Sequence, residues 1–286
     1  MKVLMATDGS TDANTAIVTA LRVLRRDSLS IDVVCVAPEL VPASHREHEI
    51  HEAKRVLVTT EQLLHREGLR SNVTLKVGPP AETIKSLVGE YDLVVVGAHG
   101  KYERTQPGLG PVATHLIENA NGSVMVGREL VNEKSFRVLA AIDGSEASYN
   151  ALRALPAFLD PSEIDVTLMH VMETPWARLG GLADGDYEPD ASEITDYQRQ
   201  LELELIRNAD IAIGRARIYL ESHGISATEI IQNGDPALEL VSHAEEGGYD
   251  LIVAGATGSS DVKHALLGSV SSQLAWNAPC SVIVVH

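Results

Sequence analysis

The sequence predicts an α/β fold of two tandem, doubly wound domains, each with a five-stranded parallel sheet flanked by helices. Three observations predict it. The 286 residues amount to about twice the commonest domain length, and segments of the first half recur in the second. Each copy alternates short apolar runs with amphipathic stretches. The apolar runs are nearly continuous, which is typical of parallel strands covered on both faces.

Two segments appear twice in the same order. Residues 3–10 (VLMATDGS) return as residues 138–145 (VLAAIDGS), and residues 91–98 (YDLVVVGA) return as residues 249–256 (YDLIVAGA). Self-similarity of this kind indicates a repeated structural unit. The chain therefore starts over near Phe136.

The repeat divides the chain into two predicted domains, residues 1–130 and residues 136–286. The second copy holds 23 more residues than the first between the matched segments. We place this insertion over residues 174–200, where prolines, glycines and acidic residues indicate a loop. Loops of this length are typical of functional or disordered segments.

Helices are expected after the first strand of each copy. In the first copy a Ser10-Thr11-Asp12 capping cluster precedes apolar residues at helical spacing, and the second copy repeats that spacing from Ala151 to Leu159. The first copy matches the order of strands in the second. The candidate strands of the second copy are 137–142, 165–171, 227–232, 250–255 and 281–285.

The formal net charge of −17 restricts macromolecular partners. Nucleic acids need a basic surface that neutralises their phosphates, and an acidic membrane surface is disfavoured likewise, so we expect neither as a partner. A small anion remains compatible with this charge, because backbone amides at a helix N-terminus hold phosphate locally.

Three features favour a cytoplasmic location. The apolar run at the N-terminus is too short for a signal peptide, and no stretch approaches the roughly twenty apolar residues of a membrane span. Cys35 and Cys280 lie in strand-like runs, which indicates two core thiols in a reducing compartment rather than a disulfide.

A glycine pattern marks the candidate ligand site of the second copy. Doubly wound sheets bind ligands outside the carboxyl ends of their strands, and Gly255, Gly258, Gly268 and Ser269 follow such a strand as Gly-x2-Gly-x9-Gly-Ser. Glycines admit close approach of a ligand, and the amides of Ser269 and Val270 would begin a helix with its partial positive charge. A phosphate fits this arrangement, whereas capping of the helix by the serine hydroxyl is the alternative interpretation.

These motifs, together with residues 168–171 (LMHV) and 234–237 (GDPA), make the second half resemble a universal stress protein domain of the ATP-binding type. The resemblance extends over essentially the whole chain. It implies a strand order of 3-2-1-4-5 in each domain and a site for ATP or AMP, with Mg²⁺ accompanying ATP. It also implies a stress-response regulatory protein, and it favours pairing of the last strands, 123–127 and 281–286, within the chain as a pseudo-dimer.

The resemblance assigns roles residue by residue. Asp143 would accept hydrogen bonds from the ribose or base, and the main chain at Val171 would contact the adenine edge. For Asp143, capping of the following helix is the alternative. The glycine pattern and the residues that follow it would hold ribose and phosphates. The full set is Ala141, Ile142, Asp143, Val171, Ala254, Gly255, Gly258, Gly268, Ser269, Val270 and Ser271.

The first copy keeps the frame of this site and departs from it at one position. Pro111 stands where the second copy has Ser269, and proline brings neither an amide donor nor a hydroxyl. His99 and Lys101 could compensate by charge, although simple surface exposure also explains them. We therefore expect a weak, altered or empty second site at Asp8, Val36, Gly97, Gly100 and Gly110.

The sequence offers only weak signals for a metal site, for further phosphate contacts or for catalytic residues. His45, His48 and His51 could approach a metal along one helix side, but a solvated helix face explains them better, and we assign no metal site. Lys263 and His264 lie in the glycine loop, where either could touch a phosphate, although plain exposure also explains them. The sequence lacks a P-loop, a nucleophile elbow and a dinucleotide fingerprint, so no catalytic residue is assigned.

Three functions therefore remain open. The leading one is a regulatory protein that binds an adenine nucleotide mainly in its second domain. The others are a nucleotide-independent interaction scaffold and a protein that hydrolyses ATP very slowly or phosphorylates itself. The oligomeric state is open as well, with a homodimer of the two-domain chain as one option.

Overall fold

The computed structural model describes residues 1–27, 29–39, 42–101, 108–132, 136–173, 191–258 and 267–286. Strands and helices alternate in both halves. The first half comprises β1 (Lys2–Ala6), α1 (Thr11–Val23), β2 (Ser30–Ala37), α2 (Ala43–Arg66), β3 (Ser71–Val77), α3 (Pro80–Lys85), β4 (Leu93–Gly97), α4 (Pro111–Asn119) and β5 (Val124–Gly127).

The second half repeats this order. Its elements are β6 (Phe136–Ala141), α5 (Glu146–Phe158), β7 (Ile164–Met172), α6 (Ala191–Ser222), β8 (Ala227–Asn233), α7 (Pro236–Glu246), β9 (Leu251–Gly255), α8 (Ser269–Asn277) and β10 (Ser281–Val285). The predicted tandem, doubly wound α/β fold is confirmed.

The described strands form one ten-stranded sheet of order β3-β2-β1-β4-β5-β10-β9-β6-β7-β8. Within each half the strands pair in parallel, and their order is 3-2-1-4-5 when they are numbered from the start of that half. The two halves meet where β5 pairs antiparallel with β10, with Met125 opposite Ile283. Each last strand is thus covered by the other, which leaves neither as an open edge.

Helices cover both faces of the sheet because its strands are apolar on both sides. Val94, Val95, Ile252 and Val253 are almost fully buried at the centre of the two halves. One core layer lies between the sheet and α1, α2, α5 and α6, and the other lies under α3, α4, α7 and α8. Val, Ile, Leu and Ala therefore supply the packing, as the low aromatic content of 4% predicts.

Arg128 reinforces the junction between the halves. Its Nη1 donates to the carbonyl of Cys280 at 3.1 Å and its Nη2 to the carbonyl of Ala275 at 2.6 Å. Its backbone amide donates to the hydroxyl of Ser281 at 2.9 Å. A charged donor that satisfies carbonyls of the opposite half ties β5 to the end of α8 and the start of β10.

The predicted insertion loop is wrong over its last ten residues. Helix α6 begins at Ala191, so residues 191–200 are helical, and residues 174–190 lie outside the described residues. The physical reason is that Pro189 is the last helix breaker before Gly214, since residues 191–200 contain neither glycine nor proline.

Both cysteines are free and buried, in agreement with their interpretation as core thiols. Burial raises the pKa of Cys35 to about 11 and that of Cys280 to about 12, so both stay protonated and poorly nucleophilic near neutral pH. Among the described helices, none combines the length and apolarity that crossing a membrane requires.

Candidate functional site

A cavity of about 450 Å³ opens at the carboxyl ends of β6, β7 and β9, where the winding of the second half reverses direction. Doubly wound sheets bind their ligands at this place. The structure brings together on its wall all the site residues that the sequence analysis assigned to the second half. They are Ala141, Ile142, Asp143, Val171, Ala254, Gly255, Gly258, Gly268, Ser269, Val270 and Ser271.

Asp143 sits in the turn between β6 and α5. Its Oδ1 accepts a hydrogen bond from the amide of Ser145 at 2.9 Å, and Gly144 between them has a φ of +83°, which favours glycine. Ser145, not Asp143, is the N-cap of α5, because its hydroxyl accepts from the amide of Ser148 at 3.1 Å. The alternative interpretation of Asp143 as a helix cap is therefore wrong.

The two glycines of the first part of the pattern have different surroundings. A Cβ on Gly258 would lie 3.1 Å from Oδ2 of Asp143, so this glycine keeps the carboxylate side of the cavity open. A Cβ on Gly255 would lie 2.5 Å from the carbonyl carbon of Ala147, in the backbone of α5. Gly255 is thus required for packing β9 against α5, whatever its contact with a ligand.

The start of α8 forms the wall opposite β6. Gly268 is the N-cap, has no side chain to cap the helix, and donates its amide to the carbonyl of Ala256 at 2.6 Å. Ser269 follows as the first helical residue and is exposed, so its hydroxyl does not have the N-cap position. The amides of the first turn have no partner within the helix, which gives this wall a partial positive charge.

Ser271 uses its hydroxyl for structure. The hydroxyl donates to the carbonyl of Gly255, at the end of β9, and the side chain is buried. Its proton is consequently committed to the protein, and its backbone amide is the group left for an anion. This hydrogen bond fixes the helix start against the strand end.

His170 lines the same cavity from β7. Its Nδ1 lies 2.7 Å from the carbonyl of Ile142. Burial lowers the pKa of His170, and this effect exceeds the opposing effects of the Ile142 carbonyl and of Asp143. The neutral ring therefore donates its Nδ1–H to Ile142 and keeps Nε2 as an acceptor.

Helix α6 supplies a wall that the sequence analysis missed. Leu205, Asn208, Ala212 and Arg215 recur at spacings of three and four, which place them along one side of the helix, and all line the cavity. The spacing in the sequence indicates one side of a helix, but it does not show that this side reaches the cavity.

The first half has an equivalent but smaller cavity of about 280 Å³ at the ends of β1, β2 and β4. Asp8 repeats the turn of Asp143: its Oδ1 accepts from the amide of Ser10 at 2.9 Å, and its Oδ2 accepts from the amide of Lys101 at 2.7 Å. Pro111 begins α4 at the position of Ser269. The assigned residues that line this cavity are Asp8, Val36, Gly97, Gly100 and Gly110.

The other candidate residues separate into three cases. His99 is mostly buried, with Nδ1 3.0 Å from Oδ2 of Asp12, so surface exposure does not explain it. His45, His48 and His51 are exposed on α2, as a solvated helix face predicts. The predicted phosphate contacts of Lys263 and His264 lie outside the described residues.

Comparisons with known proteins agree with this architecture. The universal stress protein family matches the chain twice, over residues 1–128 and 135–286. The chain is 31% identical over 152 residues to universal stress protein YxiE of Bacillus subtilis, which covers 52% of this chain and 98% of that protein. It is 27% identical over 244 residues to a universal stress protein of Mycolicibacterium smegmatis, covering 84% of this chain and 76% of that protein.

A solved structure shares the complete fold. The crystal structure of a universal stress protein from Archaeoglobus fulgidus superimposes with a TM-score of 0.69 at 20% identity, covering 99% of this chain and 97% of that one. Two family matches in one chain, each over a doubly wound half, account for the internal repeat. The chain therefore belongs to the universal stress protein family, as a tandem two-domain member.

Proposed function

We propose that this protein binds ATP or AMP in the cavity of its second half and acts as a nucleotide-dependent stress-response regulator. The observation that carries the proposal is the convergence of a carboxylate, Asp143, and the first-turn amides of α8 on one cavity at the switch point of the sheet. Its volume of about 450 Å³ lies within the usual range of small-molecule sites, about 300 to 1,000 Å³.

Each part of an adenine nucleotide has a partner of matching chemistry. Asp143 offers carboxylate oxygens to the ribose hydroxyls or the base, and the main chain at Val171 offers hydrogen bonds to the adenine edge. The amides of Ser269 and Val270, with the exposed Ser269 hydroxyl, hold phosphate oxygens. With ATP, Mg²⁺ would bind the phosphate oxygens. We propose binding only, without transfer of a phosphoryl group by this chain.

The first half supports the second structurally. The pairing of β5 with β10 favours a pseudo-dimer of the two domains within one chain, in which each half covers the last strand of the other. In the first half Pro111 removes one amide donor and one hydroxyl from the wall opposite Asp8. We therefore assign the binding of phosphorylated nucleotides to the second half.

A matched pair of substitutions tests the assignment. Gly258→Val is expected to abolish calorimetrically detected binding of MgATP and AMP to the nucleotide-stripped chain, because its Cβ meets Asp143 at 3.1 Å inside the cavity. Gly100→Val places a Cβ 3.1 Å from Asp8 in the first half and is expected to leave that binding unchanged. Equal loss of nucleotide binding in both variants, or full binding in both, would contradict the assignment. A wild-type chain that binds neither MgATP nor AMP would favour the nucleotide-independent interaction scaffold.

A further inference from the structure

The cavity of the first half keeps the walls that we assign to base and ribose. Asp8 and Val36 occupy the positions of Asp143 and Val171, at the ends of β1 and β2. Gly100 faces Asp8 as Gly258 faces Asp143, with the same 3.1 Å separation between a Cβ and the carboxylate. The cavity of the first half is thus small and largely apolar, and the carboxylate of Asp8 stands at the ribose position.

The helical wall carries two carboxylates in place of uncharged side chains. Helices α2 and α6 align through matching ends, since Leu69 donates to the carbonyl of Leu64 as Ile225 donates to that of Leu220. This alignment puts Glu52 at the position of Asn208 and Glu49 at that of Leu205. Both glutamates line the first cavity.

The charges facing this cavity disfavour an anion. Among the described residues, its lining includes Asp8, Glu49 and Glu52 against one lysine, Lys101. A hydrogen bond from Arg55, at 2.8 Å, lowers the pKa of Glu52 and keeps it ionised, but Arg55 is not among the lining residues. Phosphates placed here would meet like charge.

The anion-binding start of the helix is weakened in this half. Pro111 has neither an N–H nor a hydroxyl at the position of Ser269, whereas Val112 and Ala113 keep the backbone amides of Val270 and Ser271. One wall therefore lacks an amide and a hydroxyl for a phosphate, while carboxylates are added on another. The carboxylate of Asp8 and the main chain at Val36 are unaffected by either change.

His99 adds a polar group that still lacks a partner. Nδ1 of the ring lies 3.0 Å from Oδ2 of Asp12, which leaves Nε2 as the ring nitrogen available to another group. Nε2 is buried and has no hydrogen-bond partner among the residues that the structure describes, and His99 lines the cavity. A buried polar nitrogen without a partner is costly, and a ligand hydroxyl, which both donates and accepts, would satisfy it.

We propose that the cavity of the first half binds an uncharged nucleoside, with adenosine as the probe, and rejects its phosphorylated forms. The proposal rests on the proposed function only in taking the base and ribose contacts of the second half as its template. The chain would then hold two chemically distinct forms of one ligand class, a phosphorylated nucleotide in one half and a bare nucleoside in the other.

The test measures labelled adenosine binding to the full chain in the presence of saturating MgATP, which blocks the second cavity. One adenosine per chain is expected, and none in Gly100→Val, whose retained MgATP binding shows that it is folded. ATP should bind the first cavity at least about 100-fold more weakly than adenosine, because like-charge juxtaposition costs several kcal/mol.

A gain-of-function variant tests the exclusion of phosphate. Glu49→Leu, Glu52→Asn and Pro111→Ser together give the first cavity the residues that the second has at these three positions, and this triple variant is expected to bind a second MgATP. No adenosine bound beside MgATP, or two AMP molecules bound tightly by the wild-type chain, would overturn the inference and leave the nucleotide site of the second half standing. If the wild-type chain bound adenosine but no MgATP, only the proposed function would be overturned.

Discussion

Replacement of Ser269 by proline is expected to weaken MgATP binding by about 100-fold or more. The change removes the amide and the hydroxyl that begin α8, and a hydrogen bond to a charged group contributes about 1.5 to 3 kcal/mol. Proline suits the first helical position, so the fold should remain intact. The chain already contains this arrangement, since Pro111 begins α4 at the equivalent place. Calorimetric titration of the purified variant measures the change in Kd.

The matched control exchanges the same two residue types in the other half. Pro111→Ser restores an amide and a hydroxyl to the first cavity but leaves Glu49 and Glu52 in place. We expect it to keep wild-type MgATP affinity in the second half and to gain little in the first. An unaltered Kd in Ser269→Pro would contradict the assignment of the phosphates to the start of α8.

Replacement of Gly255 by alanine is expected to destabilise the protein by about 3 kcal/mol, at the upper end of overpacking effects. The added Cβ would lie 2.5 Å from the backbone of Ala147, and neither β9 nor α5 can move without disturbing the central core. The position of the denaturant unfolding transition measures the loss. The variant should be less stable even without any nucleotide.

Gly214→Ala provides the control for this experiment. Gly214 lies within α6, and no atom of the described residues lies within 4 Å of an added Cβ, so alanine should stabilise the helix by about 0.5 to 1 kcal/mol. A Gly255→Ala variant as stable as the wild type would show that β9 and α5 are not packed as closely as described. The glycine at position 255 would then be explained by contact with the ligand alone.

The pattern of apolar runs predicts the fold because the burial of each strand depends on the polarity of its own residues. Continuous runs such as residues 93–96 can be buried on both faces only in a covered parallel sheet, and the repeat doubled this evidence. The start of α6 is less predictable from local signals. Two prolines and three glycines punctuate residues 174–190 and indicate a loop, but they do not by themselves mark where that loop ends and the helix begins.

The site was predictable where its residues follow strand ends directly. Asp143 and Gly258 are placed by the strand that precedes each of them, so the winding rule sufficed. Glu52 and Asn208 project from helices that reach the cavity only through tertiary packing, and nothing local marks them as lining residues. The packing role of Gly255 depends on the backbone of another helix, which is also non-local.

The number of MgATP molecules bound per chain shows whether only the second half binds a phosphorylated nucleotide. Equilibrium dialysis of the nucleotide-stripped protein against labelled MgATP counts them without any substitution. One molecule per chain is expected, held by the second half. Two molecules bound with equal affinity would contradict the difference between the halves that Pro111, Glu49 and Glu52 create, and none bound would contradict nucleotide binding itself.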